Sequence, residues 1–123
     1  MSELDVFRTE RIGGALFVVP KYGISALAAE EFKPEVRQLL AALDDPGIVH
    51  AVVDLEHVAY FGTSMLEVMH ALWRRLRDRG GRLLVCNVSP VGREVLRVSR
   101  FDTLWEIHAT RDEAVAALGG TPD

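Results

Sequence analysis

Two adjacent hydroxyls, Thr63 and Ser64, stand where an apolar strand-like run passes through a short turn into an amphipathic helix. Ala51-Val52-Val53-Asp54-Leu55 is β-branched and apolar, as a strand buried on both faces would be. Met65, Leu66, Met69, Leu72, Trp73 and Leu76 then recur at helical spacing. A hydroxyl at such a helix start has two uses. It can cap the helix by accepting from an orphan backbone N–H, and Ser64-Met65-Leu66-Glu67 fits a capping box. It can also carry a phosphate, because the free N–H groups and the helix dipole favour negative charge there.

Other reactive groups are placed less favourably. His50, His57, His70 and His108 are scattered, without the fixed spacing a metal site requires, and no cofactor is implied. Ser64, His57 and Glu56 supply the residue types of a serine hydrolase. The segment Gly62-Thr63-Ser64-Met65 nevertheless lacks the second glycine of a nucleophile elbow. Gly13-Gly14 and Gly80-Gly81 extend to no phosphate-cradling pattern. Cys86 lies inside the apolar run Leu83 to Val88, so it reads as core filler; a lone cysteine rules out an intrachain disulfide and suggests a reducing compartment.

The elements that must position the hydroxyls can be read along the chain. Strand-like runs around Asp5 to Arg8 and Ala15 to Val19 flank a Gly13-Gly14 hairpin turn. Leu27, Ala28, Phe32, Val36, Leu39, Leu40 and Leu43 describe a first helix, stopped by Asp44-Asp45-Pro46-Gly47; Pro34 places its start near Glu31 or kinks it. A strand over 48–55 follows, then a helix from the Thr63/Ser64 turn to about Arg79, stopped by Gly80-Gly81. After a strand over 83–88, Asn87 or Ser89 with Pro90 opens a short helix to about Val98. Leu104 to Ile107 reads as a last strand, and Thr110-Arg111-Asp112-Glu113 as a capping box for a helix over 112–118. The order β-β-α-β-α-β-α-β-α predicts one α/β domain over 1–123. It has a core of about 5–118, a mixed four- to five-stranded sheet, about four helices and a loose tail over 119–123.

Composition bounds the partners. In 123 residues, 49% hydrophobic, a net charge of −4 provides no global field for nucleic acid or an anionic membrane. No apolar run approaches the ~20 residues of a membrane span. No signal peptide is recognisable at Met1-Ser2-Glu3-Leu4-Asp5, so the expected location is the cytoplasm. Eight arginines from Arg74 to Arg100 crowd the second half, and acidic residues such as Glu30, Glu31 and Asp44 mark the first. Solvated helix faces account for them; an acidic partner docking on the arginines is the sharper alternative.

Taken in order, Val53-Asp54-Leu55, Thr63-Ser64-Met65-Leu66, Gly80-Gly81-Arg82-Leu83-Leu84-Val85-Cys86 and Ser89-Pro90 resemble the STAS domains of bacterial anti-sigma factor antagonists. The resemblance extends from about Asp5 to Leu118. It implies a binding switch and not an enzyme: a protein that binds an anti-sigma factor that is also a serine kinase, is inactivated by phosphorylation, and is restored by a phosphatase. By position the acceptor falls on Ser64, with Thr63 as the alternative. The partner surface falls on Ser25, Gly62, Thr63, Ser64, Met65 and Leu66, and a phosphate beside Met65 and Leu66 would charge an apolar docking surface. Gly62 stands where the family carries Asp, Met65 where it carries Gly, and Ser25 where it carries an acidic residue, so Met65 is expected at the approach to the acceptor. Two other readings remain open, a STAS module that binds constitutively in a scaffold or transporter, and the small hydrolase; the oligomeric state is unspecified.

Overall fold

Pairing each apolar run with its neighbour in sequence yields a single sheet. In a computed structural model, which describes residues 2–3, 6–21 and 29–119, the strands are β1 (Ser2–Glu3), β2 (Phe7–Ile12), β3 (Ala15–Pro20), β4 (His50–Asp54), β5 (Leu83–Cys86) and β6 (Glu106–His108). They lie side by side in that order. β1, β2 and β3 are antiparallel, whereas β3 to β6 are mutually parallel. The helices are α1 (Ala29–Ala42), α2 (Thr63–Arg77), α3 (Pro90–Val98) and α4 (Arg111–Ala117), with a 3₁₀ turn at Phe101–Thr103.

The expected α/β class and helix count hold. The sheet exceeds the expected five strands because the two-residue β1 pairs with β2, too short a segment to carry a periodicity. The first expected strand sits later, at Phe7–Ile12, because its register runs from Phe7 opposite Pro20 to Ile12 opposite Ala15 across the hairpin. α1 keeps Pro34 inside it and starts earlier than Glu31.

Alternation along the central strands divides the core. Leu16, Val18, Ala51, Val53, Leu83 and Val85 face a layer built by α1, α2 and α3. Ala15, Phe17, Val52, Leu84 and Cys86 face α4 through Ala114. Burial on both faces explains why β3 and β5 read as continuous apolar runs. It also pushes the Cys86 thiol up to about 12, with the Asp54 carboxylate acting in the same direction, so the thiol is inert as expected.

From α2 the chain returns to the sheet at β5 through Gly80, at φ +77, and Gly81. A Cβ on Gly81 would lie 1.9 Å from the Val49 carbonyl oxygen and 3.3 Å from the Leu76 Cβ. Only a shift of backbone would relieve that clash. Gly81→Ala is therefore expected to cost about 2–3 kcal/mol, read as a lowered urea midpoint; an unchanged midpoint would show that this close approach is unimportant.

Candidate functional site

Every parallel strand delivers its C-terminal end to the same rim of the sheet, where connecting loops of α/β folds carry their sites. The loop 55–62 leaves β4 there and enters α2. Its start is fixed by Asp54, a carboxylate only 1% exposed. Oδ1 of Asp54 accepts from the Glu56 amide at 3.1 Å and from Asn87 Nδ2 at 2.9 Å, and Arg111 Nη1 lies 4.0 Å from Oδ2. A buried carboxylate demands such partners. Asn87, in the turn after β5, takes φ 55, a left-handed conformation that asparagine tolerates.

The loop ends in Phe61, 1% exposed, and Gly62. The Gly62 carbonyl accepts from the Leu66 amide at 3.2 Å, so the helix already begins at Thr63. Gly62 is the N-cap residue and supplies no side chain to the cap. Ser64 therefore occupies the second helical position, and the Ser64 to Glu67 capping box is not formed; the cap reading of Ser64 is corrected. Among the described residues its half-buried hydroxyl has no hydrogen-bond partner. Thr63 beside it is exposed.

The remaining site residues separate by their place on the helix. Met65 is 0% exposed and heads the inward stripe Met65, Met69, Leu72, Leu76. Its side chain neither faces a partner nor stands in the approach to Ser64, which corrects that expectation. The reason is helical spacing, which carries Met65 under the turn and onto the sheet. Leu66 is half-buried and lines a groove of about 310 Å³ with Thr63, Glu67, His70, Arg74 and Phe101. Phe101 stacks on Trp105 with ring centroids 4.5 Å apart, and His70 lies 5.6 Å from Phe101 and 5.4 Å from Trp73. Trp73 is half-buried beneath Arg77, whose guanidinium lies 4.8 Å from its ring. Ser25 lies outside the described residues.

Gly62 leaves room for a side chain. Its backbone is extended and no atom lies within 4 Å of an added Cβ. Gly62→Asp is expected to supply the missing cap and raise stability by about 0.5–1 kcal/mol, read as a higher denaturation midpoint; a lower midpoint would contradict this geometry.

The hydrolase constellation is not assembled. Ser64 makes no hydrogen bond with His57, whose Nε2 lies 3.3 Å from Glu56 Oε1 on the exposed surface. His50 Nδ1 accepts from the Arg82 amide at 2.9 Å, and burial lowers its pKa, with Arg82 acting the same way and Glu106 opposing. Among the described residues no three His, Cys, Asp or Glu side chains gather as metal ligands, and no helix is long and apolar enough to cross a membrane. The arginines are largely engaged within the chain. Arg75 binds Asp44 at 2.6 Å, Arg79 reaches the Ile48 carbonyl at 2.8 Å, and Arg97 pairs with Glu94. Arg82 grips Glu106 at 2.5 and 2.6 Å, holding that carboxyl below its usual range.

Asp54, Asn87 and Ser89 take no part in the expected site, yet they shape it. Ser89 caps α3 by accepting from the Gly92 amide at 3.0 Å and donates to the Ala59 carbonyl at 2.6 Å. The signal for Asp54 was a carboxylate in an otherwise apolar strand.

A mixed sheet with helical crossovers and a hydroxyl-bearing helix start at the strand rim define a domain of the α/β class. The family model described as "STAS domain" matches residues 7–114, and the chain belongs to that family. It is 30% identical over 109 residues, 89% of this chain and 90% of the relative, to the Bordetella bronchiseptica protein named "Putative anti-sigma factor antagonist BtrV". An anti-sigma-factor antagonist (STAS) domain protein from Planctomyces limnophilus has the same fold, with a TM-score of 0.75 and 26% identity, covering 92% of this chain and 97% of that one. The anti-sigma factor antagonist SpoIIAA in its unphosphorylated form superposes with a TM-score of 0.76 at 19% identity, covering 94% and 97%. The phosphorylated form of SpoIIAA, a Bacillus cell fate determinant, gives 0.65 at 18% identity, covering 91% and 98%.

Proposed function

We propose that this chain is an anti-sigma factor antagonist, a non-enzymatic, cytoplasmic binding module. Its α2 N-terminal turn docks on an anti-sigma factor of the serine-kinase type, and phosphorylation of Ser64 ends that binding until a phosphatase removes the phosphate. The observation that carries this reading is the Ser64 hydroxyl itself, released from capping by Gly62, unpartnered among the described residues and adjacent to the Thr63–Leu66 end of the groove. Membership of the STAS family and the likeness to BtrV support it. A phosphate there adds about −1.5 to −2 charges at neutral pH to a surface that a partner must desolvate. Thr63, exposed and one residue earlier, is the alternative acceptor.

Affinity capture from the native cell, with mass spectrometry of the Phe61 to Arg74 peptide, tests the proposal. A kinase-like anti-sigma factor and a phosphate on Ser64 are the expected findings. An unmodified peptide, together with binding indifferent to Ser64→Asp, would replace the switch with a constitutive STAS module.

A further inference from the structure

Two hydrogen-bonded turns, on loops about thirty residues apart in sequence, share one hydroxyl. Ser89 Oγ accepts from the Gly92 amide at 3.0 Å and so caps α3, while its proton goes to the Ala59 carbonyl at 2.6 Å in the loop that leads to Ser64. A second tie joins the same loops at their other end, where Asp54 Oδ1 accepts from both Asn87 Nδ2 and the Glu56 amide. Past the Ser89–Ala59 tie, on the side of Ser64, Phe61 lies so close to α3 that a Cβ on Gly92 would come within 2.8 Å of its Cε1. Loop 55–62 has few bonds of its own, notably Val58 amide to Leu55 carbonyl at 3.0 Å. Its shape is therefore set from the α3 side.

We propose that Ser89 is a positioning residue for the Ser64 turn, strapping loop 55–62 to the first turn of α3 so that the two helix starts open and close as one unit. This concerns the regulation of the site described under Proposed function, but the strap itself requires no phosphorylation. A charge placed at Ser64 then shifts α3 as well as α2, and a partner seated on the Ser64 turn also senses the order of α3.

The distinguishing variant is Ser89→Asp. A carboxylate remains a good N-cap for the Gly92 amide, but it has no proton for the Ala59 carbonyl. Amide hydrogen exchange on the full-length chain reads the two turns separately. In Ser89→Asp the Gly92 and Arg93 amides are expected to keep their protection, while Val58 and Leu66 exchange about threefold to tenfold faster, the effect of one lost hydrogen bond. Ser64→Asp should perturb the Gly92 and Arg93 amide resonances in the otherwise unaltered chain, and should not do so when combined with Ser89→Asp. Ser89→Ala, which loses both bonds, should loosen both turns. Unchanged exchange at Val58 and Leu66 in Ser89→Asp would overturn the strap, leaving Ser89 as a cap and nothing more. Because no partner or kinase is present, that failure is separate from a finding that Ser64 is never phosphorylated.

Discussion

Ser64→Asp is expected to weaken binding of the proposed anti-sigma partner by about 100-fold or more while leaving the fold as stable as before or slightly more so. The two effects have opposite signs because they draw on different surroundings of one side chain. In the free chain, Ser64 is the second residue of α2 and half-buried, with water still at hand. A carboxylate so near a helix N-terminus meets unsatisfied N–H groups and the positive end of the dipole, worth about 0.3–1 kcal/mol in favour of folding. Against an apolar partner surface the same charge would have to shed its water. A cost of only about 2.8 kcal/mol already corresponds to a hundredfold rise in Kd. Titration calorimetry and thermal denaturation of the same sample separate the effects. Retained affinity in a stably folded Ser64→Asp chain would remove the switch, and Ser64→Ala should bind as the unaltered chain does.

Met65→Asp, one residue on, is expected to fail in the opposite way. Met65 has no exposed surface and packs in the cluster that joins α2 to β4 and β5, with Met69 and Leu72. A carboxylate there has neither water nor a donor, and unpaired buried charges belong to the small set of substitutions that cost about 4–5 kcal/mol or more. A domain of this size has about 5–15 kcal/mol in all, so most of its stability would be lost. Circular dichroism should show a large fall in melting temperature or no cooperative transition. A folded Met65→Asp chain that merely lost its partner would return Met65 to the binding surface. The adjacent pair thus separates the outer and inner faces of one helical turn.

Local chemistry explains which features could be read from the sequence. Ser89 and Pro90 announce the start of α3 because cap and N1 preferences act within a few residues, and Thr110 does the same for α4, accepting from the Glu113 amide at 3.1 Å. The inward stripe of α2 was equally legible as spacing, since Met65, Met69, Leu72 and Leu76 are all buried. The resemblance, with the family's glycine at the position of Met65, points that residue outward, against its own helical spacing. The cap of α2 was not legible, because Gly62 and Ser64 are both acceptable N-cap residues. Where the Gly62 carbonyl meets the Leu66 amide depends on how the strand exit is anchored by Asp54 and the buried Phe61. Asp54 to Asn87 and Ser89 to Ala59 span 33 and 30 residues, beyond any local pattern. The Ser64 hydroxyl was visible in the sequence; the scaffold that releases it from capping was not.

Six strands lying in the sheet in the order of the chain have a consequence for synthesis. Each strand leaving the ribosome meets an edge already laid down by the one before it, so the sheet can grow by accretion without opening a finished pair, in keeping with folding that begins at the N-terminal side. The turn bearing Ser64 emerges before the residues that hold it, since Cys86, Asn87 and Ser89 all come later. A nascent chain that ends between α2 and β5 carries Ser64 without its frame. Recognition of a correctly shaped Ser64 turn is thus deferred until β5 and the start of α3 have been made.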